Sequence, residues 1–292
     1  MTFTAFLEEV LLDSIIEFLK LLPFLFLTYL FMEFLEHRAG EKMENAIRRA
    51  GHVGPFFGGL LGVVPQCGFS AAASGLYAGR IISMGTLIAV YLSTSDEMLP
   101  ILIAEGARAS LILKLLLIKL LIGMLAGFLI DLFLHLSGEK KDEHEHIHEL
   151  CEHEGCHCEE GVLRSAVHHT LHISLFLLLI MLCLNTGIFF LGEERLATVF
   201  SGVPVLGHLL SALVGLIPNC ASSILITKLY LEGVISAGCM LSGLLVGSGV
   251  GLLVLFRLSR KKREAVVILL LLYAIGALAG ILLDLAGIGT IL

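Results

Sequence analysis

The chain has 292 residues, of which 57% are hydrophobic and only 15% are charged, and its mean hydropathy is +0.94. Because a soluble domain carries about 25% charged residues, this composition excludes an ordinary water-soluble protein and indicates several membrane-crossing helices. The formal net charge of −7 comes largely from the acidic segment 139–160, and no basic-aromatic patch points to nucleic acid as a partner.

Five helical segments are predicted in succession in the first half of the chain. Charged residues at 13, 17 and 20 interrupt the first apolar stretch, so it does not have the pattern of a cleaved signal peptide. The predicted segments are 13–36, 52–65, 67–79, 81–104 and 108–134.

A helix-breaking motif, GVVPQCGFS at 62–70, separates the second segment from the third. Pro65 removes a backbone donor and blocks continuation of a helix, and freed carbonyls are tolerated at membrane depth only where they face protein or water. Gln66, Cys67 and Ser70 add an amide, a thiol and a hydroxyl, a set that suits a partly dehydrated cation. The alternative is a proline kink whose small residues serve close packing.

The fourth segment is interrupted by the polar run STSDE at 93–97, which Pro100 follows. Carboxylates at membrane depth are expensive and mark ion or proton paths. Asp96 and Glu97, with Ser95 beside them, would bind a divalent cation or exchange protons for it. The alternative makes 93–100 a loop between two short helices, with both acids in water.

Three further carboxylates lie near helix ends. Asp131 follows Gly123 and Gly127, whose spacing favours close helix packing, so Asp131 either caps a packing contact or lines an access path. Asp284 repeats this arrangement in the second half, and Glu33 is a third candidate for the access path.

A hydrophilic linker, 137–164, is unusually rich in histidine and cysteine. Neutral imidazoles and thiolates are the preferred ligands of zinc-like metals, and cysteines on the cytoplasmic side remain reduced. Their spacing matches no zinc finger, so we expect a flexible metal collector. Its candidate ligands are His144, His146, His148, Cys151, His153, Cys156, His157 and Cys158.

The sixth segment begins with His168, His169 and His172, which share a helix face at spacings of three and four and extend the collector. Residues 144–148 also match the zinc-protease motif H-E-x-x-H. That motif requires a stable helix in a protected cleft, so we do not expect an enzyme.

The second half repeats the first at a constant offset, 218 − 65 = 153 residues, which indicates a tandem duplication. GLIPNCASS at 215–223 matches GVVPQCGFS, whereas the acid pair is not repeated and only Ser95 has a serine counterpart, Ser248. The matching site candidates are Asn219, Cys220, Ser222 and Ser223. The predicted segments are 168–190, 205–218, 220–232, 234–256 and 262–287.

Positive charge is distributed oppositely in equivalent loops. The loop 36–53 carries four Lys or Arg residues and its counterpart 189–206 carries only Arg195; the segment 257–263 carries five, whereas only Arg108 lies close before the fifth segment. The positive-inside rule puts equivalent loops on opposite sides of the membrane. We therefore expect an inverted repeat with extracytoplasmic termini and a cytoplasmic linker.

The motifs PQCGFS, STSDE and PNCASS, with the His-rich middle loop, resemble those of a ten-transmembrane heavy-metal exporter family of bacteria and archaea. Members of that family are often described as manganese transporters and are similar to arsenic-type permeases. The likeness covers nearly the whole chain and implies export of a metal ion. The histidines and cysteines of the linker favour zinc over manganese, which prefers oxygen ligands.

The sequence thus predicts an all-α polytopic protein of the cytoplasmic membrane, with about ten transmembrane segments in two inverted five-helix repeats whose broken helices meet near the midplane. Its parts are a first repeat (1–136), the linker (137–164) and a second repeat (165–292). It predicts a proton-coupled secondary transporter working by alternating access. The expected partners are protons, the bilayer and a divalent metal ion of the zinc or manganese class as substrate, with a homodimer as an option.

The expected ion ligands are Cys67, Cys220, Asp96 and Glu97, with Gln66, Asn219 and the nearby serines completing the shell. Two alternatives stay open. A permease for a small metalloid or organic solute would not need Asp96 and Glu97, and a non-transporting metal sensor would need the linker rather than the paired helix breaks.

Overall fold

The computed structural model describes most of both repeats, and these residues form helices and turns, with no strand among them. The described residues are 11–34, 53–64, 67–95, 98–137, 162–191, 204–218, 220–259 and 262–287. Four predicted site residues (Gln66, Asp96, Glu97 and Asn219) and the metal-collecting segment 144–158 lie outside these ranges.

Each half contributes six described helices. In the first half they are α1 (Asp13–Phe34), α2 (Gly54–Gly62), α3 (Cys67–Ala78), α4 (Met84–Ser93), α5 (Met98–Ala104) and α6 (Ala109–Leu136). In the second half they are α7 (Val162–Leu191), α8 (Pro204–Gly215), α9 (Cys220–Leu231), α10 (Ala237–Val246), α11 (Gly251–Leu258) and α12 (Lys262–Leu285).

The duplication extends to the helix boundaries. The starts of α3 and α9 differ by 220 − 67 = 153 residues, and the same offset separates the starts of α4 and α10, of α5 and α11, and of α6 and α12. Equivalent contacts recur as well: α2 and α6 pack on α4, and α8 and α12 pack on α10. The two halves therefore share one local fold.

The fourth and ninth predicted segments each consist of two helices. Thr94 leaves the helical conformation after α4, with ψ at 128°, and Pro100 lies in the first turn of α5, where its missing N–H costs nothing. In the second half, Gly249 has φ at 54°, a backbone conformation that glycine adopts freely. The polar run noted in the first half thus coincides with a helix interruption that both halves have.

Four helical stretches are long and apolar enough to cross a membrane by length and composition. They are Met84–Ala104, Ala109–Leu136, Ala237–Leu258 and Lys262–Leu285, so that α4 joins α5, and α10 joins α11, in one stretch. In contrast, α2 has 9 residues and α3, α8 and α9 have 12 each, too few for the roughly 20 that a crossing needs.

Burial separates these stretches into inner and outer helices. Residues of α4 and α10 are almost all buried, whereas α6 exposes Leu113, Leu117, Leu121 and Leu125 along one face. A leucine face of this extent is unfavourable in water and is solvated by lipid. The chain is therefore a multi-pass membrane protein whose core is formed by the interrupted helices.

Small residues bring the outer helices close to the inner ones. A Cβ added at Gly123 would lie 2.9 Å from the Ala89 carbonyl oxygen, and one at Gly127 would lie 2.5 Å from the Gly85 carbonyl oxygen. Gly276 and Gly280 make the equivalent approach to α10. These contacts agree with the close packing that the glycine spacing predicts.

Homologous helices of the two halves also contact each other, α1 with α7 and α4 with α10. Two further contacts between the halves are reciprocal, since α3 packs on α11 and α9 packs on α5, and α4 also contacts α12. The contact between α4 and α10 joins the two helical stretches that contain the interruptions, Met84–Ala104 and Ala237–Leu258.

Candidate metal-transport site

Both motif cysteines begin a helix. Cys67 is the first residue of α3 and Cys220 is the first residue of α9, and each follows a proline by two positions, which ends the preceding helix. The side chains of both cysteines lie outside the described residues. A helix N-terminus presents unpaired N–H groups and positive dipole charge.

In the first half, the end of α2 approaches the end of α4, next to the helix interruption. A Cβ added at Gly62 would contact Ser93 Oγ and would lie 2.6 Å from the Val90 carbonyl oxygen. Gly62 precedes Pro65 by three residues, and Ser93 precedes Asp96 by three residues. The end of α2 and the end of α4 are thus in direct contact at the first residues of the two motifs.

The second half makes the same approach with different residues. A Cβ added at Gly215 would contact the Gly243 carbonyl oxygen, so the end of α8 lies against the last turns of α10. A Cβ added at Gly247 would lie 3.6 Å from Ser223 Oγ. The first turn of α9, which begins at Cys220, therefore lies beside the second helix interruption.

The two halves meet where α11 crosses α3. A Cβ added at Gly251 would lie 2.8 Å from Ser70 Cβ. The hydroxyl oxygen of Ser74 lies 2.7 Å from the Gly251 carbonyl oxygen and 2.6 Å from the hydroxyl oxygen of Tyr91. Helix α3, which begins with Cys67, therefore packs against Gly251, the first residue after the interruption between α10 and α11.

The predicted serine ligands lie in the protein interior. Ser70, Ser95 and Ser222 are buried, and Ser223 is partly buried. Ser95 Oγ donates to the Ser93 carbonyl oxygen at 3.2 Å, and Ser222 Oγ donates to the Ile217 carbonyl oxygen at 3.2 Å. These hydroxyls thus line the two interruptions and the start of α9.

A buried lysine joins the two halves where α4 and α10 end. Lys119, on α6, is 1% exposed, and its ammonium group donates to the Thr94 carbonyl oxygen and, at 2.8 Å, to the Leu244 carbonyl oxygen. A lysine near the centre of a membrane-crossing helix costs about 2.5–3.5 kcal/mol on insertion scales. Hydrogen bonds to charged groups contribute about 1.5–3 kcal/mol each, so two carbonyl bonds offset this cost.

The sequence patterns do not single out Lys119. Lys114 stands in the same apolar helix and is exposed, so a lysine in this run does not by itself identify a buried site. The repeat alignment does not distinguish the two lysines either, because their counterparts, Leu272 and Val267, are both apolar.

Asp131 and Asp284 each hold the start of an inner helix. Asp131 accepts hydrogen bonds from the Gly85 backbone N–H at 2.9 Å and from Ser83 Oγ at 2.6 Å. These contacts support the packing role for Asp131, at the N-terminus of α4, where a negative charge is favourable. A role in the access path remains a prediction.

Asp284 makes the equivalent contacts at the start of α10 and also has a histidine neighbour. Asp284 accepts hydrogen bonds from the Gly238 N–H at 2.9 Å and from Ser236 Oγ. His208 Nε2 lies 3.0 Å from Asp284 Oδ2. The first-half counterpart of His208 is Pro55, so no repeat pattern pointed to this histidine.

The other predicted residues are exposed on α7 or have side chains outside the described set. His168 and His172 are exposed on α7, with ring centroids 6.5 Å apart, so they share a helix face as predicted. The side chains of His169 and Glu33 are outside the described set. Within the described ranges, no three His, Cys, Asp or Glu side chains come together as metal ligands.

One comparison with known proteins gives a match. The sequence model of the family described as "Putative, 10TM heavy-metal exporter" matches residues 6–158 and 132–281, two overlapping segments that span most of the chain. The resemblance found in the motifs is thereby confirmed. The chain matches no curated protein and no solved structure in the other two comparisons.

Proposed function

We propose that this chain, which belongs to the 10TM heavy-metal exporter family, is a secondary transporter that moves a divalent zinc- or manganese-class ion out of the cytoplasm. Transport would proceed by alternating access in exchange for protons. The observation that supports the proposal is the contact between helices that flank the motifs: α2 with α4, α8 with α10, and α3 with α11 across the two halves.

The proposed ion site lies among these motifs. Cys67 and Cys220 supply thiolates, and Asp96 and Glu97 supply the carboxylates that neutralise a divalent charge. Gln66, Asn219 and the serines at 70, 95, 222 and 223 complete the shell. The contact of Gly251 with Ser70 supports a site shared by both halves, and thiolate ligands favour zinc over manganese.

An inverted arrangement of the halves supports alternating access. Arg80, which lies just before α4, forms a 3.0 Å ion pair with Glu264 in the first turn of α12. The start of α4 and the end of α11 are therefore on one side of the membrane. If both interrupted stretches cross the bilayer, as their lengths allow, they run in opposite directions.

The short helices complete this topology. A Cβ added at Gly54 would contact Thr86 near the start of α4, so α2 begins on the side of the membrane where α4 begins. The short segment that contains Arg80 joins the end of α3 to the start of α4, so α3 ends on that side too. We infer that α2 and α3 form a re-entrant hairpin with Cys67 at its tip, and that α8 and α9 form its inverted counterpart. Both tips then meet near the midplane, with extracytoplasmic termini and a cytoplasmic linker.

Proton exchange follows from the ligand chemistry. Thiols and carboxylic acids must lose protons before they bind a metal ion. An ion released to the outside would leave ligands that take up protons there and release them inside. An acidic exterior would then accelerate export, and a pH gradient of the opposite sign would slow it.

The proposal is tested by zinc and manganese flux in proteoliposomes. We expect Cys67→Ala and Asp96→Ala to abolish flux while the purified proteins keep the thermal unfolding profile of the wild type. Cys183→Ala is the matched control, because Cys183 is exposed on α7. Normal flux in both site variants would refute the site, and a loss confined to Cys67→Ala would favour a solute that does not need the acid pair.

A further inference from the structure

We propose that the ammonium group of Lys119 is a tethered cation that occupies the carbonyl site between α4 and α10 whenever no metal ion is bound. In this role it allows the carrier without a metal ion to change between its outward-facing and inward-facing states. The inference rests on the proposed function, because it assigns a step of the same transport cycle to this residue.

The position of the ammonium group is that of a cation site. Thr94 caps the C-terminus of α4, and Leu244 lies in the last turn of α10, which ends at Val246. The last carbonyl groups of a helix have no partner within it, and they carry the negative end of its dipole. Lys119 donates to both carbonyl oxygens, so it joins the negative ends of two homologous helices.

The depth of Lys119 makes its charge costly. It is ten residues from the start of α6, which places it about 15 Å along the helix axis and close to the middle of a hydrocarbon core of about 30 Å. It is buried on the face that also carries Gly123, against the interrupted helices. A charge at such a place is functional more often than structural.

Charge in this region is asymmetric between the halves. The counterpart of Lys119 is the buried Leu272, and the counterparts of Asp96 and Glu97 are Gly249 and Val250. The lysine and the acid pair thus occur in the same half. Two ammonium groups at one site between homologous helices would repel each other. A lysine in one half with an apolar counterpart in the other avoids this repulsion.

This arrangement separates two transport modes. During exchange the carrier is loaded in both directions, so the metal ion itself balances the carboxylates. During net export the carrier returns without metal, and uncompensated charge near the membrane centre opposes that return. The tethered ammonium, together with the protons that the ligands regain, removes this obstacle. A divalent ion that arrives competes with the ammonium for the same electronegative region.

The test compares two rates in proteoliposomes loaded with zinc. Net efflux is measured into metal-free medium, and exchange is measured with labelled and unlabelled zinc at equal concentrations on the two sides. We expect Lys119→Met and Lys119→Gln to lose net efflux by roughly tenfold or more, because the unloaded return is opposed, and to retain exchange. Lys119→Arg, which keeps the charge, should retain a large part of net efflux.

Lys114→Met is the matched control, since Lys114 lies five residues earlier in α6 and is exposed. An equal loss of both rates in the neutral and the arginine variants would overturn the inference and indicate a packing role. Unchanged rates in the neutral variants would overturn it too.

If the neutral variants do not fold, a fall in the ratio of net efflux to exchange for Lys119→Arg overturns it, and a retained ratio supports it. A wild-type protein that carries out neither process would refute the proposed function itself.

Discussion

Gly251 has no side chain at the point where α11 crosses α3. The backbone and Cβ of Ser70 occupy the space that a methyl group at residue 251 would need, and Ser74 also binds the Gly251 carbonyl oxygen. The contact joins a residue after the second-half interruption to the helix that begins with Cys67. A single hydrogen atom at this position therefore permits the close approach of the two halves.

We predict that Gly251→Ala impairs transport and lowers stability. The added Cβ would lie 2.8 Å from backbone atoms of Ser70, which cannot move as a side-chain end can, and overpacking of this kind costs about 1–3 kcal/mol. Zinc flux and thermal unfolding of the purified protein measure the two effects.

Gly207→Ala provides the comparison for this variant. A Cβ at Gly207, on α8, would meet only Cys239 Sγ at 3.6 Å, which is ordinary van der Waals contact. We expect wild-type flux and stability for this variant. Equal behaviour of the two alanine variants would show that α11 and α3 do not approach as closely as described.

At the scale of helices, the repeat offset carries most of the architecture. The predicted segments 67–79 and 108–134 correspond to Cys67–Ala78 and Ala109–Leu136, because proline and polar residues mark the ends of apolar runs. The sequence does not reveal which face of α6 is buried. Leucine covers both the lipid-facing and the protein-facing sides, so the hydrophobic pattern has no contrast that would distinguish Lys119 from Lys114.

The predicted direction of the helices is testable with a pair of equivalent positions. Ala109 and Lys262 are the first residues of α6 and α12, and both are exposed. We expect single cysteines at these positions, in a chain whose seven native cysteines are replaced by alanine, to react with a membrane-impermeant maleimide from opposite sides. An inverted repeat requires this result, because equivalent loops then face opposite compartments.

Sealed right-side-out and inside-out vesicles provide the measurement. Permeabilised vesicles, in which both positions should react, control for buried thiols. Labelling of both positions from the same side would exclude the inverted arrangement.

At the scale of the whole molecule, the described residues bring helices that flank the motifs into contact, while the metal-collecting part of the linker lies outside them. Two metal-binding regions are therefore expected: a transport site within the membrane and a collector in the cytoplasm. In the proposed account, the collector would raise the local metal concentration, and the transport site would move the ion across. Only the second function requires the paired helix breaks.

We predict that replacing residues 139–160 by a Gly-Ser segment of equal length lowers the number of metal ions bound by the purified protein. Transport should continue in a weakened or deregulated form, because the ligands of the transport site remain. Metal analysis and proteoliposome flux measure the two effects. Complete loss of flux together with loss of binding would favour a metal sensor over a carrier.

The central claim is that one metal ion is held by thiolates from both halves at once. X-ray absorption at the zinc edge tests it directly, in a protein with the linker replaced and with Cys183→Ala and Cys239→Ala to remove the other described cysteines. We predict two sulfur ligands at about 2.3 Å, and one in each of the variants Cys67→Ala and Cys220→Ala. A shell of nitrogen and oxygen alone, or a sulfur count that only one of these two variants changes, would contradict a site shared between the halves.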